Sequence, residues 1–228
     1  MPDGRPEVFA SVQGEGASVG VPSTFVRLAT CNLRCSWCDT AYTWDWDRFD
    51  RAEQVLQAPW ESALEAVLAL PPRNVVITGG EPLLQRRQLV PLVVALRGRG
   101  FRIEVETNGT IAPAELGPLV DQWNVSPKLA SAGNEGLQTI RVDVLKAFAA
   151  HSNSYLKVVV VGPDDVTAAG GLAVAAGFAR DRVILMPEGR TAAEIAERSR
   201  WLAAACTEAG FRFSSRLHIL IWGDERGV

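Results

Sequence analysis

The feature that most limits how this chain can fold is a repeating order: a short β-branched run, a polar or glycine-rich knot, then an alanine- and leucine-rich stretch. Runs of strand character cover 23–28, 74–77, 102–105, 122–125, 155–161 and 182–186. Stretches with helical spacing cover 60–70, 88–99, 114–119, 142–150, 165–176 and 192–209. Gly100, Gly177 and Gly210 each follow a helical stretch, where a C-terminal cap needs positive φ. This alternation predicts parallel βα units. About six of them make an open, partial (β/α)6 barrel rather than a closed eightfold one.

The strands run into TGGEP (78–82), ETNGT (106–110), SPKLA (126–130) and MPEG (186–189). Chemistry collects at the carboxyl edge of parallel strands, so four such knots are expected to converge on one face. Taken singly, each also reads as an ordinary βα turn. No shift of composition divides the 228 residues, which are enough for one domain with its own core; the expectation is a single domain over 1–228.

The net charge is -3 and no Lys/Arg run stands out, which argues against a nucleic-acid or membrane-surface footprint. No apolar run approaches the length of a membrane span. The N-terminal stretch MPDGRPEVFASVQGEG lacks the basic patch and apolar segment of a signal peptide, so a cytoplasmic protein is expected. Only three of the 23 basic residues are lysines: Lys128, Lys146 and Lys157. Such positions are candidates for a compact ammonium rather than a planar fork.

Three of the four cysteines, Cys31, Cys35 and Cys38, fall within eight residues as CxxxCxxC. Spacing this tight, in a chain this long, points to a metal site rather than a disulfide framework. Three thiolates around a four-iron cubane leave one iron without a protein ligand, the open position a reactive centre needs. Structural zinc needs a fourth ligand. Cys206, flanked by alanines in WLAAACTEAG, reads as a core residue, and the histidines are His151 and His218. A non-catalytic iron–sulfur or zinc-binding module therefore stands as the alternative from a different functional class.

CxxxCxxC with an aromatic before its last cysteine resembles the radical S-adenosylmethionine superfamily, and GGEP at 79–82 matches that superfamily's glycine-rich strand end. FASVQGEG (9–16), PSTFVRLATCNLRCSWCDT (22–40), TGGEPLLQ (78–85), VETNGT (105–110), SPKLA (126–130) and LHILIWGDERGV (217–228) further resemble the 7-carboxy-7-deazaguanine synthase family, in order along almost the whole chain. The resemblance implies the partial barrel of the radical S-adenosylmethionine type. It implies a [4Fe-4S] cluster on Cys31, Cys35 and Cys38 whose open iron binds S-adenosylmethionine, and cleavage of that cofactor to a 5′-deoxyadenosyl radical. The reaction implied is conversion of 6-carboxy-5,6,7,8-tetrahydropterin to 7-carboxy-7-deazaguanine with loss of ammonia, with Mg²⁺ as a further cofactor. The rival within the superfamily is a glycyl-radical-enzyme activase, in which QGEG and the C-terminal stretch have no place.

Carried over residue by residue, the resemblance gives Trp37, Cys38, Asp39, Gly80, Ser126, Pro127, Lys128 and Glu188 to S-adenosylmethionine. The stretch 186–189 reads MPEG where many relatives have a Gln-Pro start, a departure at Met186 that bears on the assignment of Glu188. Thr40 is given to Mg²⁺, and Val12, Gln13, Gly14, Glu15, Arg27 and Thr78 to the pterin. The residues suit these roles independently. Arg27 offers a guanidinium fork to a substrate carboxylate, unless it faces outward on an alternating strand. Thr40 offers an oxygen to Mg²⁺, although threonine after Asp is also a common turn or cap residue. By resemblance the partners are a flavodoxin- or ferredoxin-type electron donor and a second copy in a homodimer. The aromatic loop 42–49 is expected to be a contact surface or a cover for the site.

Overall fold

The computed structural model describes residues 5–228; the first four residues, part of the stretch read for a targeting segment, lie outside the described residues. One eight-stranded sheet runs in chain order: β1 (Val8–Val12), β2 (Pro22–Leu28), β3 (Asn74–Gly79), β4 (Arg102–Thr107), β5 (Gln122–Val125), β6 (Ser154–Val160), β7 (Val183–Pro187) and β8 (Arg212–Phe213). From β2 onward every neighbouring pair is parallel, and β1 adds antiparallel to β2 with Val8 opposite Val26. Among the described residues β1 and β8 do not pair with each other, so the sheet stays open. The helices are α1 (Arg51–Gln54), α2 (Trp60–Leu68), α3 (Arg86–Arg97), α4 (Val142–Ala149), α5 (Pro163–Ala176), α6 (Ala192–Ala209) and α7 (Leu217–Trp222).

The six expected strands and their order are present as β2 to β7. Sequence reasoning did not find β1, the two-residue β8, α1 or α7. These are short elements, too brief to show a periodic pattern in sequence. The stretch 114–119 is not an α-helix but a 3-10 helix, Ala114–Leu119. Pro118 within it has no N–H for an α-helical bond, and Gly117 weakens the turn further. Gly100, Gly177 and Gly210 have φ of 78°, 83° and 70°, so each expected cap position does need positive φ. The start of α6 is fixed by a reciprocal capping box between Thr191 and Glu194.

Each strand alternates two chemistries. Val75 and Ile77, Ile103 and Val105, Trp123 and Val125, Leu156 and Val158, and Val183 and Leu185 belong to the apolar core shared with the helices. The intervening positions turn to the barrel interior, where Phe25, Arg27, Thr78, Glu106, Ser126, Lys157, Val159 and Met186 line one cavity. Strand period two therefore separates core from site, with both faces of the sheet covered.

At the end of β3 two glycines set the position of the cysteine loop. A Cβ on Gly79 would lie 2.0 Å from the Leu28 carbonyl oxygen, and one on Gly80 would lie 2.0 Å from that of Thr30. Gly80 N–H donates to Leu28 O and Glu81 N–H donates to Thr30 O, both at 2.8 Å. Thr30 itself is held at φ 80°, a strained conformation for a β-branched residue. Here the glycines first admit the chain's own backbone, not a ligand. Gly80→Ala is expected to cost about 1–3 kcal/mol by overpacking and to lower the iron bound per chain after reconstitution. Denaturant titration and iron analysis check both outcomes.

Candidate active site

A cavity of about 540 Å³ opens at the carboxyl ends of the strands. The loop after β2 brings Cys31, Cys35, Trp37, Cys38, Asp39 and Thr40 to it; the turn after β1 brings Val12, Gln13, Gly14 and Glu15. Arg27, Thr78, Gly80, Ser126 and Lys128 complete the set of expected residues on its wall. Two expected residues are not on it. Pro127 is absent from the lining, and Glu188 is engaged on the helix side, where Arg198 of α6 donates to its carboxylate at 2.5 Å.

The three cysteines are free thiols. Burial pushes the Cys31 thiol up to about 11 and raises that of Cys35 as well. Iron binding at such sulfurs displaces protons. Each sulfur meets a donor. Leu33 N–H lies 3.4 Å from Cys31 Sγ, Asn134 Nδ2 lies 3.2 Å from Cys35 Sγ, and Trp44 Nε1 lies 3.3 Å from Cys38 Sγ. Donors aimed at sulfur suit thiolate ligands better than neutral thiols, and three such sulfurs on one loop at a cavity fit a cubane with an open corner. Among the described residues no three His, Cys, Asp or Glu side chains are grouped to hold a single metal ion. Cys206 is in the apolar core, as expected.

Beside the loop, Lys128 Nζ sits 5.5 Å from the centroid of the Trp37 ring and donates to Ser126 Oγ at 2.8 Å. No carboxylate pairs with this ammonium among the described residues. Trp37 Nε1 is buried without a partner. An ammonium on the cavity wall without a carboxylate partner suits a ligand with acceptor groups.

Arg27 faces the cavity, not solvent. Its Nε donates to Glu7 Oε1 at 3.1 Å, and Glu7 also accepts from the Tyr42 hydroxyl at 3.2 Å and from Arg226 Nη2 at 2.7 Å. Arg226 stacks over the Tyr42 ring at 3.7 Å, placing the last residues, Gly227 and Val228, along the cavity. The aromatic loop is therefore a wall of the site. Thr40 occupies the N-cap position of a 3-10 turn, Ala41–Thr43, yet its side chain makes no capping bond.

The same cavity holds a charge network whose pairings sequence reasoning missed. Lys157 Nζ reaches Glu15 Oε2 at 2.8 Å and Glu106 Oε2 at 2.6 Å. Arg216 Nε donates to Glu15 Oε1 at 3.1 Å, and its other end pairs with Asp39. Asn124 Nδ2 donates to Glu106 Oε1 at 2.9 Å. Burial alone would raise Glu15, but Lys157, Arg216 and His218 outweigh it and hold the carboxyl well below its usual range. Burial pushes Glu106 up, opposed by the shared Lys157. His218 is pushed down by burial, which favours neutral imidazole. Both oxygens of Glu15, expected to meet substrate, already have cationic partners. Gly14 has a packing reason too: a Cβ there would sit 2.2 Å from His218 Nδ1, and its carbonyl accepts from Leu217 N–H at 2.8 Å. The signal for Glu106, Asn124 and Lys157 was present as polar residues at every second position of RIEVET, QWNVS and YLKV. Nothing local marked Glu7 or Arg216, and His218 was noted only as one of two histidines and as part of the stretch 217–228.

The pattern describing the Radical SAM superfamily matches residues 26–197. The 7-carboxy-7-deazaguanine synthase of Pyrobaculum aerophilum is 41% identical over 223 residues, covering 97% of this chain and 95% of that protein. The synthase of Halobacterium salinarum is 37% identical, covering 96% and 90%. The crystal structure of QueE from Escherichia coli superposes with a TM-score of 0.70 at 29% identity, covering 94% and 93%. The chain belongs to the 7-carboxy-7-deazaguanine synthase family of radical S-adenosylmethionine enzymes. Membership implies a [4Fe-4S] cluster and S-adenosylmethionine, and it favours the synthase reading over an activase or a structural metal module. Among the described residues no helix is long and apolar enough to cross a membrane.

Lys157→Met leaves two largely buried carboxylates without their shared ammonium. An unpaired buried charge costs about 3–5 kcal/mol, so urea titration should show a loss of that size. The Glu15 contribution follows from its depressed value: it is present above the usual range near 4.5 and is lost as pH falls below it. An acid titration of wild type should therefore unfold the protein at lower pH than one of Glu15→Gln.

Proposed function

We propose that this chain converts 6-carboxy-5,6,7,8-tetrahydropterin to 7-carboxy-7-deazaguanine with loss of ammonia. The observation that carries the reading is a single cavity that gathers the three cysteine thiols on one wall and an arginine with a buried charge network on the others. Cys31, Cys35 and Cys38 hold the cluster. When bound, the cluster and S-adenosylmethionine supply abstraction of a hydrogen atom that no side-chain acid or base can remove. The protein supplies orientation and exclusion of water.

Lys128 and Ser126 offer an ammonium and a hydroxyl to the carboxylate of S-adenosylmethionine, with Gly80 presenting backbone and Trp37 and Asp39 flanking the cofactor. Arg27 takes the substrate carboxylate, shifting part of its pairing away from Glu7. Gln13 and Thr78 offer hydrogen-bonding groups to the pterin edge, while Val12 and Gly14 shape the wall. Glu15 orients Lys157 and Arg216 rather than meeting substrate alone. Thr40, its hydroxyl not spent on a cap, is the oxygen ligand for Mg²⁺. A flavodoxin- or ferredoxin-type donor supplies the electron, and the protein works in the cytoplasm as a homodimer.

The test is anaerobic incubation with S-adenosylmethionine, a reductant, Mg²⁺ and 6-carboxytetrahydropterin, followed by mass spectrometry. Deoxyadenosine without a deazaguanine keeps the superfamily and discards the substrate. Arg27→Ala is expected to raise KM about 10- to 100-fold, the value of about 1.5–3 kcal/mol for charge-assisted hydrogen bonds, while slow uncoupled cofactor cleavage persists. Unchanged kinetics would remove Arg27 from the substrate site.

A further inference from the structure

Two further side chains, neither among the residues assigned above to cofactor or substrate, approach cysteine sulfur with N–H groups. Trp44 belongs to the aromatic loop, and its Nε1 donates to Cys38 Sγ at 3.3 Å. Asn134 follows the 3-10 turn Ala130–Ala132. Its Oδ1 accepts from Arg34 N–H at 2.6 Å, inside the cysteine loop. That bond fixes which way the amide points and turns Nδ2 to Cys35 Sγ at 3.2 Å. The two donors thus come from different segments of the chain onto different cysteines. Asn108 is a weaker case. Its Nδ2 is 4.0 Å from Cys31 Sγ but 2.9 Å from Asn32 Oδ1, so the asparagine is its real partner.

The half-buried indole N–H of Trp44 finds its acceptor in the sulfur. A hydrogen bond to a cysteine sulfur draws electron density from the ligand and stabilises the more negative, reduced cluster. Such bonds are among the factors that set cluster potentials. We propose that Trp44 and Asn134 are potential-setting residues, whose N–H groups on the sulfurs of Cys38 and Cys35 make the cluster easier to reduce. The inference rests on the cluster assignment of the proposed function. It also gives the aromatic loop a second role, because the loop that carries Tyr42 beneath Arg226 holds a donor on a cluster ligand as well.

The experiment uses the full-length chain, reconstituted without oxygen and without added S-adenosylmethionine. The midpoint potential is read by electron paramagnetic resonance through a redox titration. Trp44→Phe keeps the aromatic volume and removes the donor. Its midpoint is expected to fall by about 59 mV, a tenfold change in a one-electron reduction equilibrium, with iron and sulfide content unchanged. Trp44→His, which restores an N–H, should recover part of the shift. A wild-type midpoint in Trp44→Phe with a full cluster overturns the proposal for Trp44. If that variant does not hold its cluster, Asn134→Leu is titrated in the same way, and a wild-type midpoint there overturns the idea at Cys35. Wild-type protein that stays iron-free after reconstitution removes the cluster assignment and this inference together; a full cluster with unmoved midpoints removes this inference alone.

Discussion

Lys157 places one ammonium between two buried carboxylates, and much of the cavity wall is held in place by that charge balance. Glu15 comes from the turn after β1, Glu106 from β4, and Arg216 from the residue before α7. Three distant parts of the chain therefore meet at one point in a medium where an unmatched charge is costly. The network continues through Asn124 and Gln122 to Glu104 and Asn74, so the polar interior of the barrel is hydrogen-bonded along its length. A polar interior satisfied in this way is stiff, which a site that must orient a reactive cofactor requires.

The cysteine loop is held by a different means. It lies against the end of β3 because two glycines leave no side chain between the backbones, and Glu81 behind them accepts from Leu83 N–H, Thr107 Oγ1 and Asn108 N–H. Burial raises Glu81 against those three bonds. The GGEP knot thus joins the loop to the end of β4 as well as lining the site. Close backbone packing here and the charge pairs, which reach the cysteine loop through Arg216 and Asp39, together hold the cavity lining in place. The C-terminal residues add a further tie, through Arg226 on Glu7 and Tyr42.

The order of strands β2 to β7, the helices between them and the capping glycines were legible because they depend on local pattern: period two, helical spacing, and positive φ after a helix. The cysteine loop, TGGEP and SPK were legible because their chemistry is unusual and sits close together in sequence. Glu188 read as a site residue and is instead paired with Arg198, which lies ten residues on and on the helix side. Glu7, Arg216 and His218 were not legible, since an isolated charge near a terminus looks solvated until the fold buries it.

The sequence by itself determined an open parallel βα barrel with three thiols on one loop at its carboxyl edge, because both follow from residues near one another in the chain. Only the tertiary structure decided which carboxylate meets which cation, that Gly79 and Gly80 face the backbone of the cysteine loop, and that Trp44 and Asn134 point at sulfur. Those pairings join residues far apart in the chain or depend on the direction of a single side chain. They exist because burial makes an unpaired charge or donor costly, and burial is a property of the folded whole.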